Sequence, residues 1–544
     1  MPDKSDYDYV IVGAGSAGCV LANRLSADAD VRVLLLEAGG PDTHPLIHIP
    51  LGVGRIYDKQ MFDWGYETEP DPGLGGRTIK PIRGKVLGGS SSVNMMAFTR
   101  GHRGDYDRWA RNGATGWSYE DVLPYFKRVE SWEGGADDYR GAGGPVKVQF
   151  GRFKDDLNQA WLEAARECGI PCSPDYNGKQ QEGFGRGQYS MDGGRRSSAS
   201  VAYLRSSIKR ANLSVLTGAH ARRVLLQGTR ATGVEYSRQG RLFEVHARRE
   251  VILSGGTFNT PQLLMLSGIG PAWHLETSGI RPVLDLPVGQ NLQEHIAARV
   301  YWERKQKSPF HRNMRFDRMA FAMLQAHFFG TGPATTHPSA LHAFIKTRPE
   351  LEVPDIEFIF RYAPQEARLW FPWINPGYDD GFGVVPALMH PRSRGEVLLR
   401  STNPEDKVRI RLNAFADPRD LANLRAGVEL AREVGRAKAL DPYRGAELSP
   451  GPKITRPQDI EAWIRGAVVP VHHASGTCAM GSSASAVLDP ELRVRGMESL
   501  RVVDASVLPD LVTAHINACV LMIAEKASDL IRGNAPPARK ELHV

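Results

Sequence analysis

A run of small residues, Gly13-Ala14-Gly15-Ser16-Ala17-Gly18, follows the apolar stretch Tyr7-Asp8-Tyr9-Val10-Ile11-Val12 and opens a helix-sized segment. Nothing else in the chain constrains the fold as tightly. Between a buried strand and a helix, the GxGxxG spacing lets backbone N–H groups and the helix N-terminus approach a pyrophosphate. Taken alone the spacing is a weak signal, because glycines also make tight turns. Here a second apolar strand, Val31-Arg32-Val33-Leu34-Leu35-Leu36, comes next, and Glu37 stands at its end, 19 residues beyond Gly18. A carboxylate in that place accepts ribose hydroxyls and repels a 2′-phosphate, so FAD or NAD fits and NADP does not. Gly13, Gly15, Ser16, Ala17, Gly18, Glu37 and Ala38 are therefore candidate cofactor contacts.

Two further buried-strand signals, Glu250-Val251-Ile252-Leu253-Ser254 and Leu500-Arg501-Val502-Val503-Asp504, lie far along the chain but share the character of the first two. They predict an α/β fold whose Rossmann-like, nucleotide-binding domain is assembled from discontinuous segments, about 1–155, 210–305 and 470–544. The intervening stretches, 156–209 and 306–469, form an α+β second domain for the substrate. Residues 341–346 and 355–362 alternate, with Ile356, Phe358, Phe360 and Tyr362 on one face and Glu357 and Arg361 on the other, which predicts an antiparallel sheet with one packed face and one free to line a cavity. The aromatic stretch from Trp370 to Gly377 reads as a lid or a cavity wall, and the polar tail from Asn534 as frayed.

Composition narrows the partners. The 68 Lys and Arg residues are interspersed with 61 Asp and Glu, so the net charge of +7 describes a mixed solvated surface and not a nucleic-acid footprint. Five scattered cysteines, Cys19, Cys168, Cys172, Cys478 and Cys519, make neither a disulfide framework nor a zinc pattern, so no metal is expected. No apolar run reaches the roughly 18 residues a membrane span needs, and Met1-Pro2-Asp3-Lys4 lacks a signal-peptide layout; the default location is the cytoplasm. The basic stretch from Arg304 to Arg318 runs into Phe316, Met319, Ala320, Met323, Leu324 and Phe328 at helical spacing. That pattern fits a helix packed on its own domain or an element in peripheral contact with a membrane.

The segment Arg83-Gly84-Lys85-Val86-Leu87-Gly88-Gly89-Ser90-Ser91-Ser92-Val93-Asn94, continuing to Phe98, Gly101 and Asp107, resembles the first signature of the glucose-methanol-choline (GMC) oxidoreductases. Gly256-Thr257 with Thr260-Pro261-Gln262-Leu263-Leu264-Met265-Leu266-Ser267-Gly268-Ile269-Gly270 resembles the second, and His473-Ala474-Ser475-Gly476-Thr477 with His515 resembles the family's C-terminal element. The resemblance covers nearly the whole chain. It implies an FAD-dependent enzyme acting on alcohols, with the isoalloxazine beside Gly88, Ser91, Asn94 and Ala97, Val224 near the adenine and Asp504 near the pyrophosphate. Arg83, Val86, Met95, Ala505 and Asn517 belong to the same expected cofactor set. Some relatives attach FAD through a histidine in the Gly-Gly loop; Val93 stands there in this chain, so non-covalent FAD is expected.

Removing hydride from a carbinol requires the hydroxyl proton to leave as well, and histidine has the pKa for that base. On the family pattern His473 is the base and His515 a donor to the developing alkoxide. His472 should face away, because neighbours on an extended segment point to opposite sides. Asn517 opens the apolar helix from Ala518 to Ala524, whose N-terminus would stabilise a reduced anionic flavin, or it simply caps that helix. Electrons would pass to a quinone, a redox protein or O2, with a dehydrogenase favoured over an oxidase. A flavin-containing lyase or photodecarboxylase is the alternative from another class. Phe62, Trp64, Phe358, Phe360 and Trp370 are expected to wall a pocket for an aliphatic or aryl primary alcohol; Glu357 could hold a cationic substrate such as choline, although one carboxylate on a strand is more often a solvated residue.

Overall fold

The computed structural model describes residues 6–364 and 366–538. The reading of Met1 to Lys4, and that of the tail beyond residue 538, falls outside them; Asn534 itself is held by Asp529 through its backbone and side-chain nitrogens.

Five parallel strands build the first sheet, in the order Leu213–Thr217, Val33–Glu37, Asp6–Val12, Arg241–Leu253 and Leu500–Val502. Their inward residues, among them Val10, Ile11, Leu35, Ile252 and Val502, are buried, as a sheet covered on both faces requires. The 13-residue strand Arg241–Leu253 does two jobs. Its C-terminal half joins the parallel sheet, while its first half turns back at Gln239 and Gly240, both with positive φ, to make an antiparallel meander with Arg230–Arg238 and Ala219–Gln227. The helices Ser16–Leu25 and Asn517–Arg532 pack against each other over the sheet, joined by an ion pair between Arg24 and the buried Glu525 at 2.7 Å.

The second sheet is antiparallel, in the order Arg444–Ser449, Val300–Arg304, Gly381–Leu388, Ile356–Arg361, Leu341–Ile345 and Gly183–Arg186. The short strand Ile296–Ala297 joins it as well. These last-named residues and Val300–Arg304, expected in the dinucleotide domain, thus belong to the other sheet. One face carries Ile356, Phe358 and Phe360 into a core with Trp161, Leu424 and Val428, under the helices Leu157–Glu167 and Pro418–Gly435. The opposite face turns toward the first domain.

The helix Phe316–Phe329 buries Met319, Ala322 and Ala326, whereas Phe321, Leu324 and Phe328 are more than half exposed. The apolar face expected from sequence is therefore split between packing and solvent. Among the described residues no helix is long and apolar enough to cross a membrane.

Candidate active site

A cavity of about 560 Å3 runs between the two sheets. Its first half is made by the strand ends. Gly13 has φ 98 and a Cβ there would collide with the Ser254 carbonyl; one at Gly18 would collide with the Gly13 carbonyl, so the first helix sits too close to the strand for any side chain. One at Gly89 would lie 2.7 Å from the Gly15 Cα, so the two glycine loops pack backbone to backbone. Glu37 is buried; its Oε2 accepts from Ala14 N at 2.8 Å and its Oε1 from Gly39 N at 2.7 Å, and burial lifts its pKa to about 7. Asp504 accepts from Gly256 N, Thr260 Oγ1 and Ser506 N at 2.6–2.8 Å, which pins a second strand-turn-helix, Leu253 to Leu266, beside the first.

At the other end four histidines meet. His473 and His515 stand edge to face with ring centroids 4.8 Å apart, and both line the cavity. Behind His473, and away from the cavity, His295 is fully buried, with Nε2 2.9 Å from the Met389 carbonyl and Nδ1 2.9 Å from His473 Nδ1. The carbonyl can only accept, so His295 carries its proton on Nε2; burial pulls its pKa down to about 3, so the ring is neutral and its Nδ1 can only accept. His473 must then donate from Nδ1, which leaves His473 Nε2 as the bare lone pair. Burial, with the neighbouring rings and Arg83 adding to it, also holds the His473 pKa well below the usual histidine value.

Behind His515 lies a different partner. Glu357 Oε1 accepts from His515 Nε2 at 2.9 Å and from His342 Nδ1 at 2.8 Å. Despite complete burial, these two imidazoles hold its carboxyl well below the usual carboxylate range. The two similar side chains thus have different partners behind them: a neutral imidazole behind His473 and a buried carboxylate behind His515. The atoms of His342, Glu357 and His515 lie within 4.8 Å of one another, but they face each other as donors and acceptor.

The sequence matches the family model for the N-terminal part of GMC oxidoreductases over residues 7–297 and that for the C-terminal part over residues 391–524. The chain belongs to the GMC oxidoreductase family. It is 42% identical over 541 residues, 98% of this chain and 96% of the relative, to a Brucella ovis protein named oxygen-dependent choline dehydrogenase. Among solved structures it resembles pyridoxine 4-oxidase from Mesorbium loti, at 31% identity and TM-score 0.87 over 97% of this chain and all of that one. A formate oxidase variant from Aspergillus oryzae, described for its effect on FAD modification, gives 26% identity and TM-score 0.88 over 98% and 99%. GMC oxidoreductases are FAD-dependent and oxidise CH–OH groups, and the glycine loops, Glu37 and the helix N-termini of this cavity fit that cofactor.

Of the GMC cofactor positions expected from sequence, Gly13, Gly15, Ser16, Ala17, Glu37, Ala38, Arg83, Asn94, Met95, Ala97, Asp504, Ala505 and Asn517 line the cavity. Gly18, Val86, Gly88, Ser91 and Val224 do not. Gly18 permits close packing, and Val86 sits in a small apolar cluster with Ile47 and Ile56. Gly88 donates to the Ala14 carbonyl, Ser91 braces Gly88 and Ala199, and Val224 N is bound to Ser267 Oγ. Those five act one layer back.

Several expectations need correction. His472 lines the cavity together with His473, because its φ of 67 breaks the extended alternation on which the opposite-face reading relied. Asn517 is the first residue of its helix and makes no capping hydrogen bond; its Oδ1 instead accepts from Ser16 Oγ at 2.7 Å. Glu357 is fully buried, not solvated. Phe358 and Phe360 point into the core on the far side of the sheet, and Trp370 packs on His311; of the proposed wall residues only Trp64 lines the cavity. Missed were Tyr57, the strand start from Ala219 to Ala221, Gly255 to Asn259, and His295. The third of these was legible, since Leu253-Ser254-Gly255-Gly256 repeats the strand-to-helix turn of the first motif.

Proposed function

We propose that this GMC oxidoreductase oxidises a primary aliphatic or aryl alcohol to the aldehyde, with non-covalently held FAD, His473 as base, and a quinone or other acceptor taking up the electrons. The observation that carries the reading is the chain from the Met389 carbonyl through His295 to His473, which leaves an unprotonated Nε2 on a residue that lines the cavity. When bound, FAD supplies the hydride acceptor.

The chain's own residues do the rest. His473 Nε2 accepts the hydroxyl proton as the carbinol C–H leaves with its electron pair and the C–O bond becomes a carbonyl. His515 faces the oxygen on which negative charge grows, its ring oriented by the Nε2 bond to the buried Glu357 carboxylate. Ile359, Val385 and Ala297 supply an apolar floor that excludes water. Val93, an unreactive side chain on the cavity wall, supports dissociable cofactor.

The test is the visible flavin spectrum under argon during addition of primary, aryl, polyol and amino alcohols, followed by air. Bleaching by one class supports the reaction; prompt recovery in air marks an oxidase and a persistent reduced spectrum marks a dehydrogenase. If no alcohol bleaches the flavin, the lyase alternative stands in its place. Denaturation with acid, followed by mass spectrometry, should release unmodified FAD and leave an unshifted protein mass.

A further inference from the structure

The substrate end of the cavity holds two arginines that its chemistry has not used. Arg299 and Arg361 both line the wall contributed by the second sheet. Arg361 pairs in register with Gly383, which pairs with Tyr301; Arg299 lies two residues before Tyr301 and so on the same face. A Cβ at Gly383 would crowd the Tyr301 ring, so the glycine keeps that ring flat against the sheet between the two cations. Glu357, Ile359 and Arg361 alternate along one strand. Arg361 therefore stands about 13 Å of backbone from the carboxylate that supports His515.

Neither arginine is neutralised. Among the described residues neither makes an ion pair within 4 Å; the Arg361 side chain reaches only Met95 Sδ, at 3.5 Å, and the Arg299 guanidinium makes no hydrogen bond, while its carbonyl accepts from Ser449 Oγ at 2.9 Å. The acid whose field both Arg299 and Tyr301 feel is the exposed Glu366. The acids that line the cavity are Glu37 and Asp504, both at the dinucleotide end, and Glu357 is committed to its two histidines. Two half-buried cations with no ion-paired acid on the cavity wall beside them favour an anion and penalise a cation.

We propose that the substrate is a primary alcohol carrying a carboxylate several bonds from the carbinol, with the carboxylate held by Arg299 and Arg361 and the carbinol presented to His473 and His515. The inference rests on the reading of this cavity as the site of alcohol oxidation, and the reaction balances as before: hydride to bound FAD, a proton to His473, an aldehyde acid as product, and the two electrons passed to the same acceptor. It sets this chain apart from a preference for a cationic alcohol, which would need an acid where these arginines stand.

The experiment uses the FAD-loaded enzyme under argon and three alcohols of matched chain length: an ω-hydroxyalkanoate, the n-alkanol, and an ω-hydroxyalkyl trimethylammonium, over a series of lengths. A charge-assisted contact is worth about 1.5–3 kcal/mol, so kcat/KM for the hydroxy acid should exceed that for the alkanol by roughly ten- to hundred-fold, with the cation slowest. Arg361→Gln and Arg299→Gln should each collapse the ratio of hydroxy acid to alkanol, a ratio measured on one preparation and so insensitive to partial misfolding. A redox-inert alkanoate should perturb the flavin spectrum of the wild type and do so more weakly in either variant. Charge-blind kinetics, a preference for the cation, or an unchanged ratio in both variants would overturn the inference while leaving alcohol oxidation standing. Absence of reduction by all three, with light-driven loss of CO2 from the alkanoate, would overturn the reaction itself.

Discussion

Replacing His295 by Leu tests the proton logic of the site at a residue that touches neither substrate nor cofactor. The side chain is fully buried and does not line the cavity, and its Nδ1 is the acceptor that forces the His473 proton onto Nδ1. With Leu in its place, that N–H would be a buried donor without a partner, at a cost of about 1–3 kcal/mol. Moving the proton to Nε2 relieves the cost and blocks the base. At about 1.4 kcal/mol per factor of ten, the reactive tautomer falls by roughly 5- to 150-fold, and the rate of flavin reduction under argon should fall with it. His295→Gln keeps an acceptor toward His473 and a donor toward the Met389 carbonyl, and should recover most of the rate. A merely structural role would lower flavin content and melting temperature in step with activity. A Leu variant that binds FAD normally and reduces it at the wild-type rate would refute the assignment.

Three other outcomes follow from the geometry. Asn517 lines the cavity at the start of the last helix, and its replacement by Leu removes a polar group from the cavity wall; the flavin potential should drop by about 30–60 mV, the equivalent of about 1.5–3 kcal/mol for two electrons, and an unchanged potential would reject the electrostatic role. Burial raises the Glu294 pKa from 4.5 to about 7, so between those values the folded protein keeps a proton that the unfolded chain has released. That contribution is complete below pH 4.5 and lost as pH rises toward 7; Glu294→Gln, compared with wild type by scanning calorimetry over this range, should lose about 3 kcal/mol of the downward trend, and parallel curves would contradict the burial argument. Finally, Phe321, Leu324 and Phe328 stand exposed beside Arg318, and Trp370 ties the loop bearing the 99% exposed Trp373 to the start of the same helix. Anionic vesicles should retain the protein at low salt and release it at high salt, with Phe328→Ser and Trp373→Ser weakening retention; no retention at low salt assigns this face to solvent.

What the sequence made legible was local, and the physical reason is visible in particular residues. Gly13, Gly15 and Glu37 announce their role because the backbone they need is specified within one strand-turn-helix unit, and the alternation from Ile356 to Tyr362 announces a sheet face because its period is two. Orientation failed wherever a single backbone angle decided it: His472 joined the cavity through one positive φ, and no pattern in Val471-His472-His473 foretells that. Function that depends on partners from distant segments was invisible for a stronger reason. His295 and His473 are separated by 178 residues, Glu357 and His515 by 158, and neither His295 nor Glu357 carries any local mark that distinguishes it from a solvated or core residue. Glu357 shows what this means for chemistry. A carboxylate on a strand is ordinarily wet; the fold buries this one between His515 and His342, whereas His473 has a neutral imidazole at its back. The motifs therefore identify which two histidines to consider, and the residues behind them, supplied by the second sheet and its connections, set the hydrogen-bond partner of each.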